Sequence, residues 1–333
     1  MSDGRERITG EALGELIAGE VAGLRVRLDE PLASHSSLRI GGPATVWAEV
    51  GEVEALQRLV TAARADGYPV YVVGLGSNVL FPDEGLEAVV VRLVDGLAEI
   101  DIDDDDDEAL VSIGGGAVNA HIVRKLHKEG WVGAEFLALI PGTFGGAVVM
   151  NAGTKERELC EVLVDAELVE PSDKGVEQHT YGVDELGLTY RHSEVEPDAI
   201  VLGGRIRVRR GDVEEARRKV RRDRERRDRT QPYKLASVGS TFANPPDDYA
   251  GRLIDEVGLK GHSVGGARIS EHHANFFINE DEASAEDFLE LMALAQSQVQ
   301  SSFGVELRPE VRFVGFDGHR RLRELRERYR DAC

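Results

Sequence analysis

Between Ile140 and Gly153 the chain reads IPGTFGGAVVMNAG, with four glycines, a proline and an asparagine set among apolar residues. This stretch restricts the fold more than any helix or strand signal around it. Glycine has no Cβ, so its main chain can come within hydrogen-bonding distance of another backbone, a phosphate or a ring edge. Composition leaves two readings, a loop that meets a bulky ligand or a tight strand-to-strand bend. The segments that accompany it must choose between them.

A chain of 333 residues, 41% of them hydrophobic, exceeds the usual reach of one core, so two or three structural units are expected. No apolar run approaches membrane-spanning length, and the N-terminal MSDGRERITG lacks the apolar centre of a secretory signal. A cytoplasmic protein without membrane association is the expectation. Cys160 and Cys333 are the only cysteines, and His121, His127, His262, His272 and His273 form no ligand pattern, so neither a disulfide framework nor a metal site is expected. The formal net charge of -21 argues against a nucleic-acid binder, which needs a basic face to replace counterions. Part of that charge lies in Asp101 to Glu108, DIDDDDDE, which reads as a solvated loop between two strands. A calcium loop would need a turn-forming glycine that is missing there.

Residues Ile8 to Gly19 read as a short helix, with Thr9 as N-cap and Leu13, Leu16 and Ile17 on one face. Next, Val46, Ala48 and Val50 alternate as on a half-buried strand from Thr45 to Val50. A helix from Glu52 carries Val53, Leu56, Val60 and Ala63 and is ended by Gly67, and a strand follows at Tyr71 to Val73. These three elements make a βαβ unit. Its second strand runs into Gly74-Leu75-Gly76-Ser77-Asn78-Val79-Leu80, where successive backbone donors suit a pyrophosphate. The dinucleotide fingerprint is not met, because the third glycine is out of step and Val79-Leu80-Phe81-Pro82 is a poor helix start. A simple Rossmann fold is therefore disfavoured.

Strands at Ala88 to Leu93 and Ala109 to Ile113 bracket the acidic run, and a helix from Val118 presents Val118, Ile122 and Leu126 before Gly130 closes it. Further strands are predicted at Val162 to Val169 and Ile200 to Val208, with Tyr190-Arg191-His192-Ser193 between them. Asp212 to Arg229 mixes arginine with Glu and Asp as an exposed, ion-paired helix does; attraction of an anionic ligand or an RNA is the second reading. A boundary is placed near Pro232. Beyond it the pattern predicts a short helix from Tyr249 to Gly258, a turn at Gly265-Gly266 and a strand from Ala274 to Ile278. A helix capped by Ser284, with Phe288, Met292, Ala295 and Val299 on one face and Gly304 after its end, precedes a last strand near Val311 to Val314.

The ordered segments SLRIGGPA, GLGSNVLF, IPGTFGGAVVMNAG, YRHS, GSTFANP, HANFFIN and RPEVRFVG, spread from about Leu32 to Gly315, resemble the bacterial UDP-N-acetylenolpyruvoylglucosamine reductases of peptidoglycan synthesis. Seven motifs in family order are far more specific than one glycine turn. The resemblance implies an α+β fold, a two-lobed FAD-binding region of the vanillyl-alcohol-oxidase (PCMH) type followed by a smaller α/β substrate-binding domain. It divides the chain into a lead-in (1–30), FAD-binding lobes (31–93 and 94–231), a substrate domain (232–303) and a C-terminal segment returning to the flavin (304–333). It further implies noncovalent FAD, NADPH as reductant, and reduction of UDP-N-acetylglucosamine enolpyruvate to UDP-N-acetylmuramate. The short interval from Arg191 to Ser240 resembles the branch lacking an extra substrate-closing loop. Thr154 to Glu158 departs from the family pattern in lacking further glycines.

Hydride delivered to the β-carbon of an enolpyruvyl group pushes charge toward its α-carbon and carboxylate, so such a site needs cationic stabilisation and a proton donor. The resemblance assigns Arg191 to the carboxylate, Ser240 to proton donation and Glu310 to completing the electrostatic site. It assigns Gly74, Gly76, Ser77, Asn78, Val79, Leu80, Ile140, Pro141, Gly142, Thr143, Gly145, Gly146, Ala147, Asn151 and Gly153 to FAD. Tyr190, Asn244, His273, Asn275 and Arg312 fall to the substrate. Residue chemistry alone keeps other readings open: Arg191 as a surface charge, Ser240 as a turn cap through its hydroxyl, and Glu310 paired with Arg312. Two other functions are a flavin oxidase using oxygen and a noncatalytic UDP-sugar or FAD sensor.

Overall fold

A computed structural model describes residues 9–20, 24–172, 175–232 and 234–330. Ile8 and Cys333 lie outside the described residues, as do the side chains of Leu16 and Ile17. The chain forms two compact units, one from the residues up to Glu30 with Ala44–Gly74 and Glu87–Arg224, the other from Pro31–Pro43, Leu75–Leu86 and the residues from Glu225 onward. Both mix helices and sheets, giving an α+β architecture.

The first unit contains two sheets. One has the spatial order Arg25–Pro31, Pro43–Val50, Leu86–Leu93, Val70–Val72, with Val70–Val72 parallel to Leu86–Leu93. The expected strand–helix–strand succession is present, its helix being Val53–Ala65. That helix buries Ala55, Leu56, Leu59, Val60 and Ala63 in one cluster with Val46, Ala48 and Val50. Gly67, at φ +74°, ends it, and the Tyr68 amide closes back on Ala63 at 2.8 Å. Thr9 caps the first helix, Gly10–Glu20, by accepting from the Ala12 amide at 3.2 Å.

The second sheet is antiparallel, in the order Gly175–Gly182, Leu163–Ser172, Ile200–Arg210, Glu108–Gly114, Ile100–Asp105. Helix Asn119–Lys128 packs Ile122 and Leu126 into its core beside Val111, Ile113, Ile206 and Val208. The acidic run is not a loop. Asp101 to Asp105 pair with Glu108 to Ser112 in a hairpin, and only Asp106 and Asp107 make the turn, with Asp106 at φ +47°, a conformation aspartate tolerates. An edge strand with charged side chains facing water avoids pairing with other chains, and so accommodates the aspartates. Arg210 holds the tip: its amide donates to the Asp107 carbonyl at 2.9 Å, its guanidinium pairs with Asp104 at 3.1 Å and lies 3.6 Å from the Trp131 ring centroid. Strand Gly175–Gly182, absent from the sequence expectation, is the opposite edge, polar and largely exposed, so apolar alternation gave no sign of it.

The second unit is built on the antiparallel sheet Ala236–Ser240, Phe276–Asn279, Ala267–Ile269, Ser263–Val264. Helices Ala250–Glu256 and Ala285–Phe303 bury Leu253, Ile254, Phe288, Met292 and Val299 with Phe242, Ile269 and Phe277. Ser284 caps the longer helix by accepting from the Asp287 amide at 3.0 Å. The cap is worth about 1 kcal/mol, whereas each large buried side chain contributes about 1.5–3 kcal/mol. Burial therefore holds the helix, and the cap fixes where it begins. A final helix, Gly318–Arg330, also unexpected, packs Leu322 and Leu325 into this core. The arginine-rich helix is Val213–Thr230, mostly exposed with Ala216 buried, and laced by pairs such as Arg217–Glu214 and Arg218–Glu215. Among the described residues no helix is long and apolar enough to cross a membrane.

Candidate active site

In the first unit the two glycine-rich segments meet. Strand Val70–Val72 leads to Gly74, where a Cβ would stand 2.4 Å from Thr143 Oγ1, so only glycine lets the loop lie against Thr143. Thr143 is extended and precedes a helix, Phe144–Val149. The glycine stretch is thus a loop-to-helix transition, which corrects the strand-to-strand bend. Two amides at the helix start are spent on the Gly114–Ala117 turn: Phe144 donates to the Ala117 carbonyl at 2.9 Å and Gly145 to the Gly115 carbonyl at 2.8 Å. Asn119 ties the approach, its amide reaching the Gly142 carbonyl at 3.1 Å and its side chain the Ile140 carbonyl at 3.2 Å.

Packing accounts for most of these glycines but not for Gly146. A Cβ on Gly145 would come within 3.1 Å of the Gly115 carbonyl, and Gly142 sits at φ +139°. Gly146 is exposed, and a Cβ there would meet only Thr143 Oγ1, at 3.8 Å. Nothing among the described residues requires glycine at 146, and its open face leaves room for a flat group such as a flavin to lie on the loop. Of the other residues assigned to the cofactor, Pro141 is exposed beside this loop, while Ala147 and Asn151 are buried and turn inward. A separate cleft of about 620 Å³ in this unit, walled by Gly133, Glu135, Arg157, Arg210 and Lys219, includes none of the assigned residues.

Arg191 is not a loose surface charge. Thr189 and His192 exchange both backbone hydrogen bonds, at 3.0 and 3.1 Å, leaving Tyr190 and Arg191 as the two central residues of a tight turn. Arg191 occupies φ +55°, which is costly for a side chain with a Cβ. Its guanidinium, 14% exposed, donates to Glu158 Oε1 at 3.2 Å and to the Gly153 carbonyl at 2.7 Å, and lies 4.8 Å from the Tyr190 ring centroid. Asn151 Nδ2 donates to Glu158 Oε2 at 3.1 Å and to the Thr189 carbonyl at 3.0 Å, while its Oδ1 accepts from the Cys160 amide at 3.0 Å. The MNAG and YRHS segments are thereby joined within one unit. Glu158 escaped the sequence reading; its available signal was its place just after the glycine stretch, at the head of a one-turn helix, Leu159–Glu161.

Ser240 and Glu310 belong to the second unit, where the residue after Ser240 pairs with the Glu310 backbone. Ser240 ends strand Ala236–Ser240 opposite Phe276, past a register irregularity at Gly239, φ +77°. Thr241, the next residue, accepts the Glu310 amide on its carbonyl at 2.8 Å, donates its amide to Asn275 at 2.8 Å, and receives the Phe277 amide on Oγ1 at 3.3 Å. Thr241 is fully buried and was missed by sequence reading. Among the described residues the Ser240 hydroxyl has no hydrogen-bond partner, so it caps no turn. Arg312 likewise has no ion-pair partner there, and desolvation alone lowers its pKa from the ordinary arginine value. A guanidinium so placed suits an anionic ligand.

The GLGSN loop joins this group from far away in sequence. Val79–Leu80 runs parallel to Arg312–Phe313, and Gly76, at φ +62°, lies so close to the His35 carbonyl that a Cβ would stand 1.9 Å from it. Ser37 Oγ links the Ser237 carbonyl at 2.6 Å and the Gly76 carbonyl at 3.2 Å. The assigned substrate residues divide by role. Asn244 Oδ1 accepts the Ala250 amide at 3.1 Å at the start of helix Ala250–Glu256, and Asn275 spends its side chain on both backbone groups of Phe242, at 3.0 and 2.8 Å. His273 stays half-buried, with Nδ1 accepting the Asn275 amide at 3.2 Å; burial, then Lys260, lower its pKa below the ordinary 6.5. It is held neutral, with Nε2 carrying the proton.

Residues 44–177 match the FAD binding domain family, and residues 231–314 match the C-terminal domain of UDP-N-acetylenolpyruvoylglucosamine reductase. A UDP-N-acetylenolpyruvoylglucosamine reductase from Anaeromyxobacter sp. (strain Fw109-5) is 43% identical over 287 residues, covering 86% of this chain and 88% of its own. That of Myxococcus xanthus (strain DK1622) is 40% identical over 89% of this chain and 94% of its own. The crystal structure of the Thermus caldophilus reductase superimposes with a TM-score of 0.72 at 36% identity, covering 87% of this chain and 98% of that one. The FAD-binding region is accordingly of the PCMH type, and this chain belongs to the UDP-N-acetylenolpyruvoylglucosamine reductase family, as an FAD-dependent oxidoreductase.

Proposed function

We propose that the protein reduces UDP-N-acetylglucosamine enolpyruvate to UDP-N-acetylmuramate in the cytoplasm, with NADPH as electron source, as a step of peptidoglycan precursor synthesis. The observation that supports this reading is the backbone hydrogen bond between Glu310 and the residue following Ser240, which joins two motifs of separate sequence origin at one strand end. The residues assigned to FAD, Gly74, Gly76 to Leu80 and those of the Ile140 to Gly153 segment, would hold the cofactor, which when bound would supply the hydride for the enolpyruvyl β-carbon.

The residues of the chain then manage charge and proton. The Arg191 fork binds the enolpyruvyl carboxylate, where negative charge accumulates as the β-carbon gains hydride. Ser240 Oγ gives its proton to the α-carbon, completing the lactyl group, and recovers one from solvent. Glu310 stands beside the developing anion; shared protonation there spares it like-charge repulsion. Arg312, without an internal ion partner among the described residues, and neutral His273 contact the remaining polar groups of the UDP-sugar.

The test is stoichiometric. FAD-loaded protein given NADPH and UDP-N-acetylglucosamine enolpyruvate should yield a product heavier by two hydrogens, with one product molecule formed per NADPH consumed. NADPH consumption that requires oxygen and leaves the enolpyruvyl sugar intact would refute the reductase reading in favour of an oxidase.

A further inference from the structure

We infer that Glu158 is the positioning residue of Arg191, setting the direction of its guanidinium. The inference rests on the assignment of Arg191 to the substrate carboxylate. Arg191 sits on a two-residue turn at φ +55°, a backbone state too sparsely favoured to fix a long side chain by itself. Two contacts fix it: Nη2 donates to the Gly153 carbonyl at 2.7 Å, and Nη1 enters a closed ring of bonds through Glu158. Glu158 Oε1 accepts from Arg191 Nη1 at 3.2 Å, Glu158 Oε2 accepts from Asn151 Nδ2 at 3.1 Å, and the same Nδ2 donates to the Thr189 carbonyl in the Arg191 turn at 3.0 Å. Glu158 is itself held by its amide, which donates to Glu161 Oε1 at 2.7 Å.

The chemistry of the ring demands a carboxylate. Two donors, a guanidinium and an amide NH₂, converge on the two oxygens of one side chain, so residue 158 must accept twice. Glutamine offers one acceptor and one donor and can serve only one partner. Its NH₂ would face either Arg191 or Asn151, both donors. Surface ion pairs contribute little, but this one joins a side chain 14% exposed to one 25% exposed, and Asn151 behind it is fully buried. Displacing a catalytic group by about 1 Å costs on the order of 100-fold in rate. Loss of Glu158 should therefore register in the step that uses Arg191 and in no other.

The experiment follows the two half-reactions separately under anaerobic conditions, on full-length FAD-loaded Glu158→Gln, Glu158→Asp, Arg191→Ala and the Glu158→Gln/Arg191→Ala double variant. Reduction by NADPH should proceed at the native rate in Glu158→Gln and Glu158→Asp. Reoxidation by UDP-N-acetylglucosamine enolpyruvate should slow roughly 10- to 100-fold in Glu158→Gln, recover in part in Glu158→Asp, and slow no further when Glu158→Gln is added to Arg191→Ala. Equal slowing of both half-reactions, or a Glu158→Gln effect that persists undiminished without Arg191, would overturn the inference. Should Glu158→Gln fail to retain FAD, Glu158→Asp, alone and combined with Arg191→Ala, decides by the same comparisons. An Arg191→Ala enzyme that reoxidises at the native rate removes the carboxylate role itself; a slowed Arg191→Ala beside an unaffected Glu158→Gln removes only the positioning role.

Discussion

The side-chain amide of Asn78 donates to the backbone carbonyl of Glu310 at 3.0 Å, and the Arg312 amide returns a bond to the Asn78 carbonyl, also at 3.0 Å. The GLGSN loop thus serves as a backbone splint for the RPEV segment. Asn78→Ala leaves the Glu310 carbonyl without this donor and should cost about 1–3 kcal/mol of stability, read by denaturant unfolding of the FAD-free protein. A variant as stable as the parent would show the splint to be dispensable.

Ser240, one residue before the Thr241 that holds the Glu310 amide, has an unengaged hydroxyl among the described residues. As proton donor its removal should slow flavin reoxidation by roughly 100- to 10,000-fold. Since the hydroxyl holds nothing in the fold, Ser240→Ala should retain native FAD affinity and melting temperature. Unchanged reoxidation in Ser240→Ala would eliminate Ser240 as the donor.

Gly76 combines φ +62° with a Cβ position 1.9 Å from the His35 carbonyl. Gly76→Ala must push one of the two backbones aside, distorting the loop assigned to the pyrophosphate. The expected outcome is a loss of FAD affinity of roughly tenfold or more, the equivalent of 1.4 kcal/mol, in an equilibrium titration of apoprotein. Native affinity would place the cofactor's phosphates elsewhere.

Burial holds the His273 pKa below 6.5 in the folded protein, so the unfolded chain binds this proton at higher pH than the folded one does. Above 6.5 both forms are neutral and no stability is lost. As pH falls from there toward the depressed folded value the unfolded state gains a proton first, and stability declines until both are protonated. His273→Gln should flatten the melting-temperature profile in that window relative to the parent. Parallel profiles would mean that His273 titrates alike in both states.

Elements with strong periodicity were legible from sequence. Leu56 and Val60, Ile122 and Leu126, and Phe288 and Met292 all mark faces that the structure buries, and Gly67 and Gly304 end helices at positive φ. What failed had no apolar signature. Asp101 to Asp105 form a strand because hydrogen bonding to Glu108 to Ser112 satisfies the backbone while every aspartate faces solvent, so composition alone suggested a loop. Helix Gly318–Arg330 buries Leu322 and Leu325 behind arginines that mask the pattern. Thr241 and Glu158 were invisible for another reason. Each acts through partners distant in the chain, Thr241 through Glu310 and Asn275, Glu158 through Arg191, and such pairings exist only once the chain is folded.

The central claim, that this chain passes electrons from NADPH through its flavin to an enolpyruvyl sugar, is tested most directly by following flavin absorbance without oxygen. NADPH should bleach the oxidised-flavin band, and UDP-N-acetylglucosamine enolpyruvate added afterwards should restore it with formation of the lactyl sugar. A band that stays bleached until oxygen is admitted would contradict the account.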